Sequence, residues 1–169
     1  MLKAISVIAM FLLLSVAVNS QVPVPSGNYG KTDSTTMGVD RAMLIAFAKQ
    51  YEGTRYRKAG SSPKTGFDCS GFVNYVFRHF NVSLPRSSKD FKTLGTSLKP
   101  EDFRVGDVLV FYSFRNKARI GHVGIICEAD GMKSRFIHAE SGSVRKVTIS
   151  HLDAPAYRGR FFKCLSVIR

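Results

Sequence analysis

Acidic residues are scarce: 12 Asp and Glu stand against 25 Lys and Arg, giving a formal net charge of +13. So basic a chain suits polyanions. The bases are scattered, however, without a block of about five or six like charges, an RNA-binding signature or a zinc-finger spacing. Nucleic acid is therefore set aside, and anionic cell-envelope polymers remain as the expected polyanionic partners. Neither CxxC nor HExxH occurs, which removes the common zinc frameworks. No metal or cofactor is expected. Nor is there an internal repeat, so solenoids and propellers are excluded.

One long uncharged apolar run is present, Ala4 to Val18, with Lys3 before it and Asn19-Ser20-Gln21 after it. It falls short of the roughly 20 residues a membrane span needs. The pattern predicts a secretory signal peptide over residues 1–20, cleaved near Ser20 or Ala17, and export to the periplasm or cell surface. The mature chain is expected to carry no membrane span. No cysteine precedes Cys69, which argues against lipid attachment at the leader. Residues 21–38 are rich in Pro, Gly, Ser, Thr and Asn and read as a flexible linker. One folded domain is expected over residues 39–169.

Within that domain two helical periods come first. Asp40 is placed to cap a helix carrying Met43, Leu44, Phe47, Ala48 and Tyr51 at three-and-four spacing. A loop, residues 52–67, leads to a second helix, in which Cys69, Phe72, Val73, Val76, Phe77 and Phe80 form one stripe behind Asp68 as cap. The period then changes. Residues 108–112, 122–127, 135–139, 144–149 and 161–168 read as strands, with turns at Asp130-Gly131 and Ser141-Gly142. Helices followed by strands predict an α+β fold, with the N-terminal helices packed on a mostly antiparallel sheet of about five or six strands.

Cys69 falls in the first turn of its helix, where the macrodipole favours a thiolate and lowers the pKa; a buried structural cysteine would fit the same stripe. Cys127 and Cys164 either pair with each other or stay as buried thiols. His79 and His151 are expected at the surface. His122 and His138 instead bound otherwise apolar strands. A two-residue turn at Asp130-Gly131 would set His122 opposite Ala139, and a slip of one residue would set it opposite His138, within hydrogen-bond reach. Cys127 would then point to the other face. A cysteine nucleophile needs a base, and the base needs an orienting group. Cys69 above the sheet, with His122 beneath it and His138 beside His122, supplies that constellation.

Six blocks carry a resemblance: Gly53-Thr54-Arg55-Tyr56-Arg57, Phe67 to Val73 around Asp68-Cys69-Ser70-Gly71, Leu84-Pro85-Arg86-Ser87, Val105 to Phe111, Gly121-His122-Val123-Gly124-Ile125 and Phe136-Ile137-His138-Ala139. In this order they resemble the NlpC family of secreted bacterial cell-wall cysteine peptidases. The resemblance implies a papain-like fold and cleavage of peptidoglycan stem peptides, at the γ-D-glutamyl–diamino acid bond or the D,D cross-link. It makes Cys69 the nucleophile, His122 the base and His138 the orienting residue. Tyr56, Asp68, Ser70, Arg86 and Ser87 would bind the stem peptide. The competing expectations are an inactive peptidoglycan-binding module and a thiol-dependent amidase or acyltransferase on the same fold.

Overall fold

Two aspartates start the two main helices. In the computed structural model, which describes residues 38–168, helix α1 spans Arg41–Lys49, and the Asp40 carboxylate accepts from the Ala42 and Met43 N–H groups at 2.8 and 3.1 Å. After a small hairpin of β1 (Ser61–Ser62) and β2 (Gly66–Phe67) comes helix α2 (Cys69–His79), capped by Asp68, which accepts from the Gly71 N–H at 2.6 Å. Each cap satisfies donors that a helix end cannot pair internally. The expected signal peptide and linker, residues 1–37, lie outside the described residues.

The apolar stripe of α2 is buried. Phe72, Val73, Val76 and Phe77 are fully inaccessible, each contributing about 1.5–3 kcal/mol by leaving water. The stripe of α1 is turned from the expected one: Leu44, Ile45 and Ala48 are buried while Met43 is 62% exposed. Phe47 and Tyr51 look sideways to α2, where Phe47 stacks on His79 at 3.8 Å and the Tyr51 and Tyr75 hydroxyls lie 3.0 Å apart. Aromatic pairing across the helices has taken the place of sheet contact for that side of α1.

Five antiparallel strands follow: β3 (Val108–Tyr112), β4 (Ile120–Glu128), β5 (Arg135–Ala139), β6 (Val147–His151) and β7 (Phe161–Leu165). Their order across the sheet is β6-β5-β4-β3-β7. A short helix α3 (Pro155–Arg158) joins β6 to β7. The fold is α+β and papain-like, as expected, with the hairpin and α3 as additions. Among the described residues no helix is long and apolar enough to cross a membrane.

The fourth strand starts later than its sequence pattern suggests. The Glu140 carboxylate accepts from the N–H groups of Gly142, Val144 and Arg145, and Arg145 has φ +50°. Residues up to 146 are thereby held in a loop, and pairing begins at Val147. The sheet separates two apolar layers. Val123, Ile125, Cys127, Ile137 and Ala139 pack with α2, whereas Leu109, Phe111, Ile126, Phe136, Leu152 and Cys164 form the layer behind. Cys127 and Cys164 lie in opposite layers and both are free thiols; the sheet between them rules out their pairing. His79 and His151 are exposed, as expected.

Candidate active site

Cys69 is the first residue of α2, 8% exposed, and its thiol points at the Gly121 carbonyl, 4.0 Å away. It opens on a cleft of ≈ 500 Å³ lined by Tyr56, Asp68, Ser70, Arg86 and Ser87. The five residues expected to hold substrate thus surround the thiol. Arg86 binds both Asp68 carboxylate oxygens at 2.9 Å, the Ser70 hydroxyl at 3.2 Å and the Gly60 carbonyl at 3.2 Å. A bidentate guanidinium–carboxylate pair of this kind fixes geometry as well as charge. Ser87 stands at the start of a 3-10 turn, Ser88–Lys92, without capping it. Tyr56 lies under the Arg145 guanidinium, 5.6 Å from the ring centre.

His122 does not sit beneath α2. Strand parity turns its side chain into the layer behind the sheet, beside Phe111 at 5.8 Å and His138 at 4.9 Å between ring centres. Its ring lines a second cleft of ≈ 530 Å³, with Ser113, Phe114, Glu140, Tyr157 and Arg160. Gly121 belongs to both clefts. The thiol, against the Gly121 carbonyl, and the imidazole of the next residue thus flank Gly121 near the start of β4, where a register irregularity falls between Phe111 and Tyr112. A Cβ on Gly121 would sit 2.6 Å from the Ser113 backbone, so the strand closes there because position 121 has no side chain. Among the described residues no hydrogen bond joins the thiol to the His122 ring.

The two histidines meet, though not by facing each other. The β4–β5 register pairs Ile125 with Ile137 and Ile126 with Phe136. Its continuation sets Gly124, not His122, opposite His138. The pair is diagonal, which places it farther apart than a direct pair but within reach of long side chains. Gly124 supplies the remaining room: a Cβ there would lie 2.6 Å from Phe136 Cδ2 and 3.1 Å from His138 Cβ. His138 leans over that gap until its Nδ1 is 2.9 Å from His122 Nε2. His122 keeps Nδ1 for another partner. On its far side, His138 Nε2 is 3.0 Å from Ser150 Oγ and 3.4 Å from the Tyr157 hydroxyl.

Electrostatics correct the expected thiolate. Burial pushes the Cys69 thiol up to about 11, and the Asp68 charge adds to it; the N–H groups of Val123, Ser70 and Cys69 act the other way without prevailing. Burial also pulls His122 down to about 3, helped by the Arg160 charge. His138 is held well below its ordinary value by burial, then by His122 and Arg160. Desolvation penalises every charged form here, so the free protein holds a neutral thiol beside neutral imidazoles. Tyr56 is raised by burial, then by Cys69 where that thiol ionises and by the Asp68 carboxylate, and stays a phenol. Among the described residues no three His, Cys, Asp or Glu side chains gather to hold a metal ion.

A family model, NlpC/P60 family, matches residues 53–166, more than half of the chain. This chain belongs to the NlpC/P60 family. It is 37% identical over 118 residues to a γ-DL-glutamyl hydrolase of Bacillus subtilis (strain 168), covering 69% of this chain and 27% of that protein. It is 30% identical over 154 residues to the murein DD-endopeptidase MepS/murein LD-carboxypeptidase of Escherichia coli (strain K12), covering 90% of this chain and 77% of that one. Among solved structures, an NlpC/P60 family protein from Bacillus cereus superposes with a TM-score of 0.69 at 27% identity, over 79% of this chain and 42% of the other.

Within this NlpC/P60 domain, four contributors were not foreseen from the sequence. Gly121 and Gly124 matter for what they lack, and Ser150 and Tyr157 contact His138 from β6 and α3. The glycines had a signal, since an isolated glycine in a strand marks close backbone approach. Ser150 and Tyr157 had none, because only the sheet order and the β6–β7 crossover bring them to the ring.

Proposed function

We propose that this chain is a cysteine endopeptidase that hydrolyses stem peptides of bacterial peptidoglycan, at the γ-D-glutamyl–diamino acid bond or the D,D cross-link. The observation that carries this reading is the 2.9 Å contact of His122 Nε2 with His138 Nδ1. It leaves His122 Nδ1 free of that contact, next in the chain to Gly121, which lines both the thiol cleft and the imidazole cleft. The names of the bacterial relatives support the substrate class.

Cys69 is the nucleophile, His122 the base and His138 the residue that orients it. Because thiol and imidazole rest neutral, His122 takes the thiol proton as sulfur attacks the scissile carbonyl. The Cys69 N–H at the helix start and the Tyr56 phenol donate to the oxyanion. The C–N bond then breaks, the His122 imidazolium gives its proton to the leaving amine, and a thioester remains. Water, deprotonated by His122, attacks the thioester and releases a carboxylate and the thiol. Asp68, Ser70, Arg86 and Ser87 hold the stem peptide in the cleft beside the sulfur. Export by the leader places the enzyme where its substrate is, and the net charge, +13 less the Lys3 lost with the leader and so +12, draws it to anionic envelope polymers.

Digestion of purified muropeptides, with fragments identified by mass, tests the reading. New amine ends within the stem, absent with Cys69→Ala, are expected. Loss of the whole stem from the sugar indicates an amidase, and binding without cleavage indicates a binding module. Either result defeats the proposal, as does cleavage by the Cys69→Ala variant.

A further inference from the structure

The His122–His138 contact by itself allows two arrangements of protons. In one, His122 carries its proton on Nε2, donates it to His138 Nδ1, and has a bare Nδ1. In the other, His138 donates from Nδ1 and the proton of His122 sits on Nδ1, where it blocks proton uptake from a thiol. Which arrangement exists depends on what His138 Nε2 does at its other end. If Nε2 donates, the first is set; if it accepts, the second is set. Two hydroxyls compete for that nitrogen, Ser150 Oγ at 3.0 Å and Tyr157 at 3.4 Å.

We infer that Ser150 is a positioning residue that sets the His122 tautomer by accepting the His138 Nε2 proton, and that Tyr157, the farther hydroxyl, is the competing donor that Ser150 overrides. This rests on the proposed catalytic role of His122. The chain of donors then runs one way, from His122 Nε2 to His138 Nδ1 and from His138 Nε2 to Ser150 Oγ.

Several observations support that direction. Ser150 Oγ is the nearer of the two hydroxyls to His138 Nε2, at 3.0 against 3.4 Å, and burial raises the Tyr157 pKa, so that it stays a phenol with a proton to give. The Tyr157 ring is fixed by its edge-on contact with Phe136 at 4.9 Å and by the Arg160 guanidinium 5.5 Å from its centre. Arg160 does not compete for the histidines, since its Nε and Nη1 donate to the Ala156 and Tyr112 carbonyls at 2.7 and 3.1 Å. Tyr157 lines the second cleft, so its own proton can go to solvent there. Ser150 reaches His138 diagonally, because the register pairs it with Phe136 and pairs His138 with Thr148. The relay thus crosses three strands by two diagonal steps.

Removing the Ser150 hydroxyl leaves His138 Nε2 facing Tyr157 alone, a phenol that is a better donor than acceptor. The tautomer then reverses. Imidazole ¹⁵N spectra of the whole protein, labelled at histidine, read this directly. Wild type is expected to show a bare, pyridine-type Nδ1 on His122, and Ser150→Ala a protonated one. With a soluble muropeptide, Ser150→Ala is expected to lower kcat roughly a hundredfold, the lower end of what general acid–base catalysis contributes, with KM nearly unchanged. Ser150→Thr, which restores a hydroxyl, should recover most of it. Adding Tyr157→Phe to Ser150→Ala removes the competing donor and should restore part of the bare Nδ1 signal and of kcat.

A protonated Nδ1 in wild type overturns the inference. So does an unchanged tautomer in Ser150→Ala, or a double variant no better than the single one. A wild type that cuts no muropeptide, yet shows the bare Nδ1 and its reversal in Ser150→Ala, defeats the proposed function and supports the tautomer relay.

Discussion

His122 and His138 touch although they are not paired across the sheet. Their nitrogens are 2.9 Å apart only because the residue opposite His138, Gly124, has no side chain to stand between them. In a close-packed layer, a missing methyl is the space through which one ring reaches the other.

Gly124→Ala follows from that relationship. The new methyl would lie 2.6 Å from Phe136 Cδ2 and 3.1 Å from His138 Cβ, and both rings are buried in a sheet with no room to retreat. Overpacking of this kind costs about 1–3 kcal/mol. Denaturant unfolding should show that loss, and muropeptide cleavage should fall much further than stability does. A variant that keeps full turnover would mean the His122–His138 contact is not needed.

The pH dependence of kcat/KM should lack the usual imidazole limb. The active base is neutral His122, and its pKa is lowered to about 3, so the active form persists as pH falls through the ordinary value near 6.5. On the alkaline side the thiol, raised to about 11, keeps its proton through the ordinary range near 8.5. Initial rates on a soluble muropeptide are expected to be flat across neutral pH. An inflection near 6.5 would show that His122 titrates normally and that burial is not what governs it.

Asp68 has two opposing effects on the site. Its charge raises the Cys69 pKa, and its carboxylate holds Arg86 in the thiol cleft at 2.9 Å. Asp68→Asn keeps a good helix cap, so the fold should survive. Alkylation of Cys69 by iodoacetamide near neutral pH should become faster, because the thiol loses a neighbouring negative charge. Hydrolysis should weaken through KM, because Arg86 is released. Slower alkylation in a folded variant would contradict this account.

Asp107 is a stability site away from the chemistry. It is fully buried at the start of β3, receiving Arg41 Nη1 at 2.9 Å and the Arg104 N–H at 2.8 Å. Asp107→Ala leaves the Arg104 N–H without its partner and Arg41 Nη1 with the Val105 carbonyl alone. Breaking a buried pair costs about 3–5 kcal/mol, and the lower end is expected because the Arg41 side chain is 25% exposed. The midpoint of denaturant unfolding measures it, and a loss under about 1 kcal/mol would mean that water replaces the carboxylate.

Some of this protein could be read before any coordinates. Residues 108–112 and 135–139 form strands with the bounds their apolar runs suggest, and Asp40 and Asp68 cap the helices that follow them. These are local matters of period, branching and a carboxylate beside free N–H groups. The α2 stripe was equally plain, and with it the burial of Cys69. The α1 stripe was not, because Phe47 and Tyr51 satisfy their rings against α2 rather than the sheet.

What the chain itself determined is the inventory and its order: a thiol at a helix start, two histidines at strand ends, and polar residues near the thiol. The tertiary structure decided how they stand to one another. The β4–β5 register made the histidines diagonal rather than opposed, and the sheet put Cys127 and Cys164 on different sides. Burial inverted the expected charge state of the thiol. Sheet order brought Ser150 to His138, and the β6–β7 crossover brought Tyr157. Register, burial and crossover all depend on residues far apart in the chain, whose packing no local period encodes.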